Sequence, residues 1–177
     1  MNRYDKSITS DWSKDMEDVE VTGCILWSYG GQVFEFGHEL TTESIKNIRF
    51  TDCDVVVHNY GGVFGIHNSD RVTISNVLFE NIRVEHYFNL LIDFKIMKSR
   101  AVTDQERGQI RNVTLRNIDV KVNAYNLGVS VSHIGGYDAK HTIQNVVFDN
   151  FVLDGKKVEN ADQLDLYIKE ASNIIFK

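Results

Sequence analysis

The chain has 177 residues, enough for one domain with a buried core. Hydrophobic residues make up 42% and charged residues 25%, ordinary proportions for a globular protein, and no apolar run reaches the ~18 residues needed to span a membrane. A net charge of −6 disfavours nucleic acid and anionic membranes as partners, since both are recognised through basic patches.

Residues 1–14 read as a polar lead-in without the apolar stretch of a signal peptide. From residue 15 the chain repeats. Asp18-Val-Glu-Val-Thr-Gly23-Cys24 is echoed by Asn47-Ile-Arg-Phe-Thr-Asp52-Cys53 and by Asn76-Val-Leu-Phe-Glu-Asn81-Ile82. Asn112-Val-Thr-Leu-Arg-Asn117-Ile118 and Asn145-Val-Val-Phe-Asp-Asn150-Phe151 follow, and a sixth copy opens at Asn173. The starts lie 29, 29, 36, 33 and 28 residues apart, and in each complete copy the second anchor follows the first by five. Between anchors the apolar residues alternate (Val19 and Val21, Ile48 and Phe50, Val77 and Phe79, Val113 and Leu115, Val146 and Phe148), the period of a strand with one buried face. A second strand pattern follows in each copy, at 33–37, 63–67, 90–94, 127–131 and 164–168. The pairs Gly30-Gly31, Gly61-Gly62 and Gly135-Gly136 mark turns.

A repeat near thirty residues, with short strands and no helical period, predicts an all-β fold: a right-handed parallel β-helix of about five coils over 15–177. Matching strands would stack about 4.8 Å apart. An antiparallel sandwich is the competing arrangement, but it gives no reason for the anchor spacing to recur. Open solenoid ends expose strand edges and core, so the coils are expected to continue in a longer β-helix, or to pair end to end as an oligomer. Identical Asn residues stacked coil on coil predict an amide ladder. Asn112-Val-Thr114 is a glycosylation sequon whose Asn is expected to be buried in that ladder and unmodified. Cys24 and Cys53 share a register in neighbouring coils, and buried, reduced, stacked thiols are expected there rather than a disulfide.

Second strands can be aligned on their inward residues: Phe34 and Phe36, Phe64 and Ile66, Ile92 and Phe94, Val129 and Val131. The outward residues then fall into the columns Glu35, Gly65, Asp93, Ser130 and Gly37, His67, Lys95, Ser132, with His38, Glu39, Asn68, Asp70 and His133 just beyond. Glu35 and Asp93, two coils apart, would stand roughly 9–10 Å apart at the backbone. That is near the ~6.5–9.5 Å between the carboxyl groups of inverting glycosidases. Glu35, Asp93 and His67 are therefore the candidate catalytic groups. Trp27, Tyr29 and Tyr60, with Tyr87, Phe88 and Tyr125, precede this strand, where aromatic rings either offer platforms to sugars or cover the core. Trp27, Tyr29, Tyr60, His38, Glu39 and Lys95 are the candidate substrate-binding residues. The plainer alternative is that the outward polar residues are solvated and that Asp93 and Lys95 pair with neighbours. The six histidines show no metal-ligand spacing, and neither a metal nor another cofactor is expected.

The succession of Asp18–Cys24, Glu35-Phe-Gly-His-Glu39, Asn47–Cys53 and Gly136-Tyr-Asp-Ala-Lys-His141 with Asn145-Val-Val-Phe148 resembles the later coils of polygalacturonase-type glycoside hydrolases, from Met16 to Lys177. The resemblance implies a pectin lyase-like solenoid, hydrolysis of a plant or microbial polysaccharide, and a secreted or periplasmic setting. In that family Asn-Thr-Asp and Asp-Asp motifs supply the catalytic carboxylates on coils before a Gly-His-Gly motif, with Arg-Ile-Lys one coil later. Here Gly30-Gly31-Gln32-Val33 stands at the Gly-His-Gly place, with Gln32 for the histidine, and Gly65-Ile66-His67 stands at the Arg-Ile-Lys place. Only Asp5 lies near the Asp-Asp place, and the Asn-Thr-Asp coil would precede Met1. The functional expectation is a carbohydrate-acting hydrolase with paired carboxylates on one sheet face. The alternatives are a non-catalytic carbohydrate-binding or structural β-helix piece, and a calcium-dependent polysaccharide lyase.

Overall fold

The computed structural model describes residues 15–38, 40–99, 105–122, 124, 126 and 131–177. The lead-in with Asp5, and also Glu39, Tyr125, Val129 and Ser130, lie outside the described residues. In chain order the strands are β1 (Met16–Thr22), β2 (Ile25–Ser28), β3 (Phe34–Phe36), β4 (Ser44–His58), β5 (Gly62–Asn68), β6 (Thr73–Val84) and β7 (Leu90–Ile96). They continue as β8 (Gln109–Val120), β9 (Ser132–Gly135), β10 (Ile143–Leu153), β11 (Lys156–Lys157), β12 (Leu166–Lys169) and β13 (Ala171–Phe176). The chain is a parallel β-solenoid of about five turns. One sheet runs β1-β4-β6-β8-β10-β11, with β13 also on β10 and β2 also on β4, and the other runs β12-β9-β7-β5-β3. Every pairing is parallel except that of β10 with β11.

The anchors explain why the long strands bend without breaking. Asn47 and Asp52 interrupt β4 with φ of 57° and 55°, and Asn76 and Asn81 do the same in β6 at 56° and 55°. A left-handed residue inserts a kink, so the inward positions of β4 run 45, 48, 50, 53, 55 and stay on the core side around each corner. Asn and Asp tolerate this conformation better than other side chains. Their amides then link the coils: Asn47 Nδ2 donates to Asp18 Oδ1, Asn76 to Asn47, Asn112 to Asn76, Asn145 to Asn112 and Asn173 to Asn145, at 2.7–3.0 Å. A second ladder joins Asp52, Asn81, Asn117 and Asn150 at 2.9–3.0 Å. Asn112 is exposed rather than buried, because its ladder runs along the outside of the corner, and its amide is engaged on both sides.

Inside, like stacks on like. Ile45, Ile74, Ile110 and Ile143 form one column, and Phe50, Phe79, Leu115, Phe148 and Phe176 form another. Phe34 and Phe64 of the opposite sheet stack at 5.6 Å, and Phe64 meets Phe79 edge-on at 5.1 Å across the core. Cys53 is buried and free, its Sγ 3.1 Å from Thr51 O, whereas Cys24, in the terminal coil, is free but only half-buried. Burial raises the Cys53 thiol above its ordinary value, so it stays protonated.

The second strand of the fourth coil is not where the pattern put it. Val131, expected inward, is 57% exposed, and β9 starts at Ser132 with Ile134 as its core residue. The alternation Leu127, Val129, Val131 is out of phase with Ile134, and burial of the bulkier Ile134 sets the inward face of β9. In the fifth coil 164–168 is only partly strand. Asn160 caps a 3-10 turn, Ala161–Leu164, by accepting from Gln163 N–H, and Asp165 at φ 46° leads into β12.

Candidate functional site

The second sheet lays β3, β5, β7 and β9 side by side. Glu35 lies opposite Gly65, Gly65 opposite Asp93, and Asp93 opposite His133, while His67 lies opposite Lys95 and Lys95 opposite Gly135. The column of Glu35, Gly65 and Asp93 is the expected one. It continues through His133 rather than Ser130, and Ser132 turns inward, where its hydroxyl accepts from Leu91 N–H at 3.3 Å and Ile92 N–H at 3.1 Å.

This face is not open. Every residue of β5 is buried, His67 included, and Asp93 is 1% exposed. The cover is Gln32, whose side chain lies across β5. A Cβ on Gly65 would fall 2.6 Å from Gln32 Cγ, and one on Gly62 would fall 2.8 Å from Asp93 Cβ, so the two glycines make the space. Gln32 Oε1 accepts from Gly62 N–H. That fixes the amide, and Gln32 Nε2 donates to Asp93 Oδ2 at 3.1 Å while lying 3.2 Å from His67 Nε2. Asn68 and Asp70, also expected outside, are buried as well. Asn68 donates to Val72 O at 2.7 Å, and Asp70 accepts from Leu40 N–H at 2.5 Å, so both hold turns.

Asp93 is the charge centre. Its Oδ2 lies 2.7 Å from His67 Nε2 and 3.1 Å from Lys95 Nζ, and its Oδ1 lies 3.3 Å from His133 Nδ1 without a hydrogen bond. Burial pushes the carboxyl up, but hydrogen bonding and charge from His67 and Lys95 outweigh it and hold Asp93 at about 2. Burial lowers His133, against the pull of Asp93. An ionised carboxylate at 2.7 Å requires a proton on His67 Nε2, and in the neutral form of the ring Nδ1 is then the acceptor. Two groups face that nitrogen: His38 Nε2 at 2.5 Å, in a ring stacked on His67 at 4.6 Å, and Glu35 Oε1 at 3.6 Å. One donor atom from each of Glu35, His38 and His67 lies within 4.8 Å of the other two.

The expected aromatic rim is partly present. Trp27, Tyr29 and Tyr60 are 65–67% exposed, and Trp27 lies 5.8 Å from Tyr29. Asn59 N–H donates to Ser28 O at 3.2 Å, which places Tyr29 and Tyr60 on one rim a coil apart. Gly30-Gly31 and Gly61-Gly62 join that rim to Gln32 and β5. Tyr87 and Phe88 are half-buried; Tyr87 packs on the core, and burial raises its hydroxyl. Of the candidate residues, the structure brings together Glu35, His38, His67, Asp93 and Lys95. Gln32 and His133 are the participants that sequence reasoning gave no binding role, although the glycines at 61, 62 and 65 were the sign that a side chain crosses there.

No family model, curated protein or solved structure matches this chain. Fold and site together define it as a parallel β-solenoid carrying a compact carboxylate–imidazole cluster on one sheet.

Proposed function

We propose that the chain acts on a glycan, hydrolysing a glycosidic bond beside the cluster of Glu35, His67 and Asp93. The observation that carries this reading is the His67 ring held between a buried carboxylate, Asp93 at 2.7 Å, and an exposed one, Glu35 at 3.6 Å. Glycosidic hydrolysis needs one group to protonate the leaving oxygen and another to activate water. Glu35 is the carboxylate within reach of a substrate and takes one task, and His67, itself buried, serves the other through half-buried His38, whose Nε2 lies 2.5 Å from His67 Nδ1. Asp93 does not fit the paired-carboxylate role the strand register suggested. It is shut off from solvent, and at about 2 it holds no proton near neutral pH. It serves instead as a positioning residue that fixes the His67 tautomer, while Lys95 balances its charge. Trp27, Tyr29 and Tyr60 supply sugar-stacking surface at the rim.

The test is reducing-sugar release from a panel of plant and microbial polysaccharides. Wild type should turn over at least one of them, and Glu35→Gln and His67→Asn should each lose about 100-fold or more. Turnover unchanged in both variants would remove the assignment.

The exposed rim favours a second reading, in which the solenoid binds a glycan without cleaving it. Binding on a glycan array without turnover, lost in Trp27→Ala and Tyr60→Ala, would select it.

A further inference from the structure

We propose that Glu35, His38 and His67 bind a divalent transition-metal ion of the zinc class, with Asp93 as the partner that orients the His67 ring. The inference goes beyond the glycan reading and is independent of it: a bound metal would occupy the Glu35 oxygen and His67 Nδ1 that the hydrolase reading uses for proton transfer, so that reading applies to the metal-free chain.

Two imidazole nitrogens and a carboxylate oxygen converge within 4.8 Å, a donor set that suits zinc, cobalt or nickel. Magnesium and calcium prefer oxygen-only surroundings. The chain arrives at this set from three backbone positions. Glu35 projects from the middle of β3, His38 follows Gly37 at the bend after that strand, and His67 sits in β5 one coil later.

The buried partner of His67 is the second observation. A ligating histidine characteristically donates its other ring N–H to a carboxylate, which sets the tautomer and raises the basicity of the ligating nitrogen. Here Nε2 meets Asp93 Oδ2 at 2.7 Å, so the Nδ1 lone pair is directed at His38 and Glu35. Asp93 is itself fixed by Gln32 and Lys95, so the ring is anchored from behind. Lys95, the nearby cation, is drawn to Asp93 at the Nε2 side of the ring rather than to Nδ1.

His38 Nε2 and His67 Nδ1 lie 2.5 Å apart, a separation that needs one shared proton between them. A metal would replace that proton. Nitrogens on a tetrahedral zinc, at ~2.0–2.1 Å each, stand about 3.3 Å apart. The His38 ring has under an ångström to move, and it hangs on a bend rather than within a strand. Glu35 keeps 34% of its side chain exposed, so three protein ligands leave a further position for water or a substrate oxygen.

Zinc titration of the chelator-treated full chain by calorimetry tests this without any glycan, and cobalt absorption reports the coordination. One equivalent of zinc should bind, calcium and magnesium should not, and cobalt should give the visible bands of a four- or five-coordinate site with nitrogen ligands. Asp93→Asn should weaken zinc by about 10–100-fold. His38→Ala, a change on a bend that leaves the core untouched, should weaken it at least as much. Absence of zinc binding at about 0.1 mM, or equal affinity in wild type and His38→Ala, overturns the proposal; 0.1 mM corresponds to only about 5.5 kcal/mol of binding free energy. Zinc binding that follows these variants without polysaccharide turnover leaves the metal site standing and removes only the hydrolase reading.

Discussion

His67 Nε2 and Asp93 Oδ2 are 2.7 Å apart with less than a twentieth of either side chain exposed, which makes this pair the electrostatic hinge of the second sheet. Asp93→Asn keeps the shape and removes the charge. Lys95 then loses its counter-ion, and Gln32 and His67 lose an ionised acceptor. Breaking a buried pair from one side costs about 3–5 kcal/mol. Urea unfolding monitored by circular dichroism should show a loss approaching that range, with the same slope against denaturant. A midpoint equal to wild type would mean that the cluster contributes nothing to the fold.

Gly65→Ala probes the cover. The added Cβ would fall 2.6 Å from Cγ and 2.9 Å from Cβ of Gln32, so the side chain must leave its bonds to Gly62 and Asp93. Overpacking of this kind costs about 1–3 kcal/mol. Gly30→Ala, whose Cβ would meet nothing within 4 Å, is the control and should stay within about 0.5 kcal/mol of wild type. Equal midpoints for the two variants would show that Gln32 does not lie over β5.

The coils were legible because their physics is periodic. Asn47, Asn76 and Asn112 hold the same corner in successive coils, and the register of Glu35, Gly65 and Asp93 follows from aligning the inward residues of their strands. The pattern could not show what lies across a strand. Alternation marked His67 and Asp93 as outward, and so they are, but Gln32 crosses over them from the turn and makes the outside an interior. The histidine cluster was missed for a related reason. No single segment carries histidines at ligand spacing, because His38 and His67 are 29 residues apart, one coil of this solenoid. The fourth coil failed at Val131 because the alternation through Leu127, Val129 and Val131 is out of phase with Ile134, and it is Ile134 that packs in the core.

The ladder separates backbone conformation from hydrogen bonding. Asn76 has φ 56°, donates to Asn47 and accepts from Asn112, both at 3.0 Å. Asn76→Gly keeps the conformation and removes the amide, while Asn76→Ala removes both. Each bond contributes about 0.5–1.5 kcal/mol, and a left-handed alanine costs a further 1–2 kcal/mol or so. Thermal unfolding should therefore rank wild type above Asn76→Gly and Asn76→Gly above Asn76→Ala. Alanine equal to or better than glycine would refute the conformational part of the argument.

Acid should unfold the solenoid in two stages. Burial lowers both His58 and His133 in the folded chain from an ordinary value of 6.5. Their neutral forms favour the fold fully above that value, and as pH falls below it the unfolded chain takes up protons that the folded chain refuses, so stability drops. Asp93 works in a lower window: its contribution is complete above 3.8 and is lost as pH falls through about 2. Unfolding free energy measured in urea between about pH 7.5 and pH 5 should decline. His58 lies fully buried, and burial outweighs the backbone groups of Gly61 and Ser28 that favour its charged form, so His58→Gln should flatten that decline whatever it does to stability at the upper end. A slope identical to wild type would mean that His58 takes up its proton as readily inside the fold as outside it, despite its burial.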